Sequence, residues 1–241
     1  MAECQAMTLT PAGLPDDRRF FLVDERARLV NGKHLGELST VVAGYGDREL
    51  ALTFPDGAVA RGTVALGEAF DARLLSRPAR VRAVLGPWSA ALSDWFGRPL
   101  RMVEGIDGSA VDRGRRGAVS VISRASLDGL ARVAGADRVD ARRFRMLVEI
   151  DGVAAHAEDS WIGARVRIGG AVVRLRGHVG RCSITTRHAE SGVVDLPVLD
   201  LLRSYRSGLD TTEPLAFGVY GEVLEGGPVT VGDGVELEPA R

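Results

Sequence analysis

A chain of 241 residues with 45% hydrophobic content and a mean hydropathy of +0.03 can bury one large core or two modest ones. Its 31 basic and 32 acidic residues leave a net charge of −1, so composition offers neither nucleic acid nor an anionic membrane as a partner. No run approaches the roughly 18 apolar residues of a membrane span, and residues 1–13 lack the basic start and apolar stretch of a secretory leader, so the cytoplasm is the expected location.

Lys33 is the only lysine, so the basic charge is almost all arginine. That bias makes a lone arginine weak evidence of a site, although the planar guanidinium suits bidentate anion recognition. Cys4 and Cys182 stand outside any CxxC pair and cannot build a disulfide framework.

In chain order, short strands are expected at Phe20–Val23 and at residues 40–43, 50–54 and 59–64. Turn signals at Asn31-Gly32, residues 44–47 and Pro55-Asp56-Gly57 separate them. Such punctuation predicts a small barrel or meander. Gly86-Pro87-Trp88 then opens a helix with Trp88, Leu92, Trp95 and Phe96 on one side and Gly97 and Pro99 at its end. A first domain is expected to occupy residues 1–100 and a second residues 101–241.

The second domain reads as β-rich α+β. It opens with a strand at 118–122 and a helix over Arg124–Ala134, capped by Ser123 and stopped by Gly135. Further strands are expected at 144–150, 171–176 and Ser183–Thr186. Pro197 begins a helix carrying Leu199, Leu202 and Tyr205, and a meander over 219–224, 229–231 and 235–237 closes the chain.

Chemistry is most concentrated around Cys182. Gly180 permits close backbone approach, and Arg181 sets beside the sulfur a cation that favours the thiolate. A thiolate serves a soft metal or a nucleophilic reaction; a buried cysteine acting as a small hydrophobe fits the same residues. His178, Cys182 and His188 form the one close set of zinc-type ligands, at a spacing that fits no standard zinc pattern. Arg113, Arg115 and Arg116 near Gly114, and Arg142, Arg143 and Arg145 around Phe144, suit either phosphate or solvent. Glu158-Asp159 before Ser160-Trp161 reads as a catalytic pair or a solvated turn. Neither a Gly-x-Ser-x-Gly elbow, a P-loop nor a Rossmann fingerprint is present.

Taken together, six short motifs in order resemble the MOSC family, named for the C-terminal domain of molybdenum-cofactor sulfurase, in its two-domain form. They are residues 17–24, residues 121–127, Arg143-Phe144-Arg145, residues 157–161, Gly180-Arg181-Cys182 with Ser183–Thr186, and residues 202–206 with 217–224. The resemblance implies an amino-terminal MOSC-type β-barrel followed by a MOSC β-barrel with a few packed helices. Relatives of the amidoxime-reducing kind begin with another strand and a Pro-Val-Lys-Ser loop, so the first barrel is expected to be truncated at its start and to expose an unpaired edge.

By the same resemblance, Cys182 ligates molybdenum held by a molybdopterin, the molybdenum cofactor. Gly180, Arg181, Arg145 and Arg116 line the cofactor, and Arg18 reaches its phosphate from the first domain. The implied activity is two-electron reduction of small N-hydroxylated compounds, with electrons from a separate electron-transfer protein or reductase, since no haem or iron–sulfur motif is present. A sulfur carrier working through a Cys182 persulfide and a degenerate, non-catalytic member are the alternatives. Two positions depart from the amidoxime reducers: Arg115-Arg116-Gly117 replaces small hydroxyl residues, and Leu147 replaces an asparagine.

Overall fold

The computed structural model describes residues 4–74, 77–106 and 114–239. By contacts the chain divides into Arg18–Val111 with Glu190–Val193, and Met1–Asp17 with Asp112–Ala189 and Val194–Arg241. Arg113 lies outside the described residues. The first strand, β1 (Ala6–Leu9), belongs to the second of these units.

The amino-terminal unit holds β2 (Phe20–Val23), β3 (Leu29–Val30), β4 (Val42–Gly46), β5 (Glu49–Thr53), β6 (Val59–Thr63), β7 (Ala65–Leu74), β8 (Arg77–Leu85), α1 (Trp88–Phe96) and β9 (Arg101–Gly105). Five strands pair antiparallel in the order β3-β2-β9-β8-β7, and β4-β5-β6 form a second sheet. The two edges of the larger sheet meet at a bridge between Arg28 and Arg73, where Arg73 N–H donates to Ala27 O at 2.8 Å. Curling a sheet until its edges pair removes the open edge that invites aggregation. Trp88 is fully buried at the start of α1, and its indole N–H reaches Leu50 O at 3.1 Å. Trp95, expected on the same buried face, is 39% exposed and lies against Phe54, 5.3 Å between ring centroids.

The carboxy-terminal unit holds β10 (Val119–Ser123), α2 (Arg124–Ala134), β11 (Val148–Ile150), β12 (Arg165–Ile168), β13 (Ala171–Gly180), α3 (Val198–Arg206), β14 (Ala216–Glu225), β15 (Gly227–Thr230) and β16 (Val235–Leu237). Six strands run in the order β11-β10-β14-β13-β12-β16, and β1 pairs antiparallel with β15. Among the described residues of this six-stranded sheet, β10 and β11 pair parallel and the other neighbours antiparallel. Val119, Val121, Val173, Leu175 and Val219 fill the core between these strands, and Leu127, Leu130, Leu202 and Phe217 build the cluster under the helices. The protein is α+β and β-rich, as expected.

Several expected elements change. The expected division at residue 100 shifts because β9 sits between β2 and β8, whereas residues 6–9 leave the amino-terminal barrel to pair with β15. The hairpin of β7 and β8 went unpredicted: most of its residues are at least half-exposed, so hydrophobic alternation is faint. The strand expected at 144–150 shrinks to β11, because Ala141–Phe144 make a 3-10 turn ended by Arg145 at φ 52°. Ser183–Thr186 is also a 3-10 turn, since Thr185 and Thr186 hydroxyls bond back to Cys182 O and Ser183 O at 2.9 and 2.6 Å. The closing segments make no meander: β14 is central between β10 and β13, and β16 joins β12.

The helix over Arg124–Ala134 forms with the expected ends. Ser123 accepts a hydrogen bond from Ser126 N–H at 3.2 Å, and Gly135 closes it at φ 63°. Beneath the cap lies Glu158, completely buried, neither solvated nor at the surface. One of its oxygens accepts from Ser123 N–H at 3.0 Å and from Ser126 Oγ at 2.9 Å, and Ser126 Oγ accepts from His156 N–H at 2.8 Å. Removing Glu158 strands buried donors. Glu158→Ala is therefore expected to destabilise the protein by roughly 2–4 kcal/mol in urea titration, and Glu158→Gln, which keeps an acceptor, by clearly less.

Candidate functional site in the carboxy-terminal unit

The end of β13 delivers the Gly180-Arg181-Cys182 segment. Its local path is held by hydrogen bonds on both sides of the sulfur. Arg181 N–H donates to Leu215 O at 3.1 Å, and Cys182 O accepts from Thr185 N–H at 3.0 Å. Cys182 is a free, half-buried thiol, and among the described residues no hydrogen bond is made to its sulfur.

Arg181 does more than supply charge. Its Nε donates to Phe217 O at 2.9 Å and its Nη1 to Phe144 O at 3.0 Å, while Nη2 meets Phe217 O and, at 2.9 Å, Met146 Sδ. The guanidinium also lies 5.1 Å from the Phe144 ring. One side chain thus ties the cysteine turn to the start of β14 and to the peptide just before Arg145. Arg145 itself is exposed, in left-handed conformation at φ 52° and ψ 39°.

The other expected residues fall differently. Gly180 is confined by the protein itself: its N–H donates to Glu213 Oε2 at 2.8 Å, and a Cβ there would meet Glu213 and Pro214 O within about 3 Å. Arg116 is exposed on the 3-10 turn Gly114–Gly117 and takes no part in this joint. Arg18 belongs to the amino-terminal unit, at φ 53° just before β2. Of the arginines around Phe144, Arg142 is forked onto Asp140, and buried Arg143 is forked onto Asp195 at 2.6 and 2.5 Å. Hydrogen bonds from Arg143 hold the Asp195 carboxyl below its ordinary range.

A second arginine, absent from the expectations, completes the joint. Arg206, 7% exposed on α3, donates from Nε to Ala216 O at 2.7 Å and from Nη2 to Asp159 Oδ2 at 2.6 Å. Asp159 Oδ1 stands 3.8 Å from His178 Nε2, and His178 Nδ1 accepts from Thr212 N–H at 3.2 Å. The Glu158-Asp159 pair singled out in the sequence is thus a packed polar support. The helical phase of Tyr205 and Arg206 with Leu202 was the available signal, but arginine abundance masked it. Burial pushes the Tyr205 hydroxyl up to about 12.

Among the described residues no group of three or more histidine, cysteine, aspartate or glutamate side chains is placed to hold a metal. His178, Cys182 and His188 therefore do not assemble a zinc site. A metal at Cys182 would take one donor from the protein and the rest from an organic ligand, which is the division of labour a dithiolene cofactor requires.

A family model described as the MOSC domain matches residues 108–236, more than half of the chain. The chain belongs to the MOSC domain family. It is 35% identical over 124 residues to mitochondrial amidoxime-reducing component 1 of Mus musculus, a match covering 48% of this chain and 35% of that protein. The chain thus spans about a third of that relative's length. Among solved structures, YuaD from Bacillus subtilis aligns at a TM-score of 0.42 and 14% identity over 99% of this chain and 87% of the other. YiiM from Geobacillus stearothermophilus aligns at 0.39 and 18% over 52% and 56%. This MOSC protein is accordingly related to molybdenum-cofactor proteins, and among the described residues no helix is long and apolar enough to cross a membrane.

Two outcomes follow for this joint. Arg181→Lys, which cannot fork between two carbonyls, is expected to lower stability by roughly 2–4 kcal/mol and to raise the reactivity of Cys182 toward a thiol reagent, read by denaturant titration and alkylation rate. His156 is held below 6.5 by burial and then by Arg206. Its contribution to stability is therefore complete above about pH 6.5 and is lost as pH falls toward the lowered folded value. The melting temperature of His156→Asn, which tolerates the φ of 63° at this position, is expected to fall less steeply than wild type below pH 6.5.

Proposed function

We propose that this MOSC protein is a molybdenum-cofactor oxidoreductase of the cytoplasm in which the Cys182 thiolate ligates the metal. Its reaction is the two-electron reduction of small N-hydroxylated compounds: the N–O bond breaks and the oxygen leaves as water, with two protons and two electrons taken up. A separate electron-transfer protein or reductase supplies the electrons. The observation that carries this reading is a cysteine free at its sulfur among the described residues and immobilised on both sides by backbone hydrogen bonds, within the span that the MOSC model matches. The 35% identity to a protein named for amidoxime reduction supports the substrate class.

The bound cofactor supplies the redox chemistry; the protein orients it and sets its surroundings. Arg181 is assigned to hold the turn that presents Cys182, through Phe144 O and Phe217 O. Arg145 and Arg116, both exposed, are assigned to the anionic end of the cofactor. Gly180 contributes by letting Glu213 approach the strand end.

Protein purified from a host that makes the molybdenum cofactor is expected to carry close to one molybdenum per chain, measured by plasma mass spectrometry, and to reduce a simple amidoxime with a chemical electron donor. Cys182→Ser is expected to lose the activity. Absence of molybdenum from the wild type overturns the assignment. A mass gain of one sulfur on Cys182 replaces it with the sulfur-carrier reading.

A further inference from the structure

The amino-terminal unit contains a cavity of about 540 Å3 that neither Cys182 nor the joint around it uses. It opens at the seam where the edges of the five-stranded sheet meet through Arg28 and Arg73. Arg28, Lys33, Arg73 and Arg98 line it, against a single carboxylate, Asp24. The chain as a whole carries −1, so this is a local concentration of positive charge, and a concave wall focuses such a field.

The charge is also prearranged. Asp24 accepts from the N–H groups of Arg26 and Arg28 at 2.9 Å, and from Arg28 Nε at 2.9 Å and Nη2 at 2.7 Å. That fixes one guanidinium on a tight turn and uses up the only negative group. No ion pair among the described residues holds Lys33, Arg73 or Arg98. The only lysine of an arginine-rich chain stands here beside three arginines, a point charge added to planar forks. Leu29 and Val30 give the cavity an apolar wall.

We propose that this cavity binds a small organic ligand carrying two or more phosphate groups. Its volume lies in the range of small-molecule sites, roughly 300–1,000 Å3, and the three unpaired cations call for more charge than one phosphate brings. Guanidinium forks match phosphate oxygens in pairs, while Leu29 and Val30 accept the uncharged part of the ligand.

Titration calorimetry on the full chain tests this with ADP and inorganic pyrophosphate at low and high salt, alongside sedimentation with vesicles containing phosphatidylinositol bisphosphate. ADP is expected to bind, more weakly at high salt. Arg73→Glu and Arg98→Glu are each expected to weaken binding by about tenfold or more, the loss of one charge-assisted contact, and Lys33→Glu by a similar step. Arg61→Glu, an exposed reversal on β6 outside the cavity, is expected to leave it unchanged. Retention on vesicles, lost with Arg73→Glu, assigns the phosphates to a lipid headgroup; binding of ADP alone assigns them to a soluble ligand. No binding of any probe, or equal weakening by Arg61→Glu, overturns the site. Cys182→Ser should bind the probes as wild type does, which separates this result from the fate of the molybdenum assignment.

Discussion

Three consecutive carbonyls at the entry to β14 accept from two arginines. Leu215 O takes the backbone N–H of Arg181, Ala216 O takes the side chain of Arg206, and Phe217 O takes the side chain of Arg181. Backbone carbonyls cannot be left dry and unpaired without cost. At this point β14 leaves a turn in which Leu215 is left-handed at φ 50°, so ladder partners alone do not serve every group. The guanidinium, with five donors in a fixed plane, reaches several such acceptors at once. Through these bonds β13, β14, α3 and the turn before Arg145 share one joint, and the cysteine turn grows out of it.

The same economy recurs in the buried polar groups of that unit. Glu158 caps from below what Ser123 caps from above, and Asp159 ties Arg206 of α3 to the 3-10 turn Ala157–Trp161. Glu158 and Arg206 act on the backbone of a neighbouring element, and Asp159 holds Arg206 in place to do so. Polar groups of this kind stabilise little when summed, but leaving one unmatched is expensive. They consequently fix which turn goes where, while the aliphatic strands Val119–Ser123, Ala171–Gly180 and Ala216–Glu225 supply the bulk of the burial.

For chemistry, this arrangement gives a thiol that is held in place by its backbone and left unclaimed at its sulfur. A protein providing one soft ligand depends on its cofactor for the remaining coordination, and its own contribution is orientation and charge. The cationic cavity of the amino-terminal unit follows the same principle with different residues, a saturated Asp24 fixing one arginine and leaving its neighbours unpaired.

Local signals carried much of this in the sequence itself. Ser123 and Gly135 marked both ends of α2, Pro197 marked α3, and the valine-rich runs marked β10 and β13, because caps and hydrophobic period act over a few residues. The ordered motifs around Arg145 and Cys182 pointed to the MOSC family for a similar reason: they are short and contiguous. What needed the tertiary structure was everything decided by partners distant in sequence. Residues 6–9 fall within the expected first domain and pair with β15; the 183–186 segment reads as a strand and is turned by its own hydroxyls. Arg181 reads as a cation for a ligand, and its donors go to Phe144 and Phe217 instead. Glu158 and Arg206 stood out locally, as an acidic pair and on a helical face, but their partners, Ser123 and Ser126 for one and Ala216 and Asp159 for the other, are brought to them only by the fold. In a chain with arginine throughout, which guanidinium faces solvent and which binds a carbonyl depends on where unpaired backbone groups come to lie, and only the folded chain determines that.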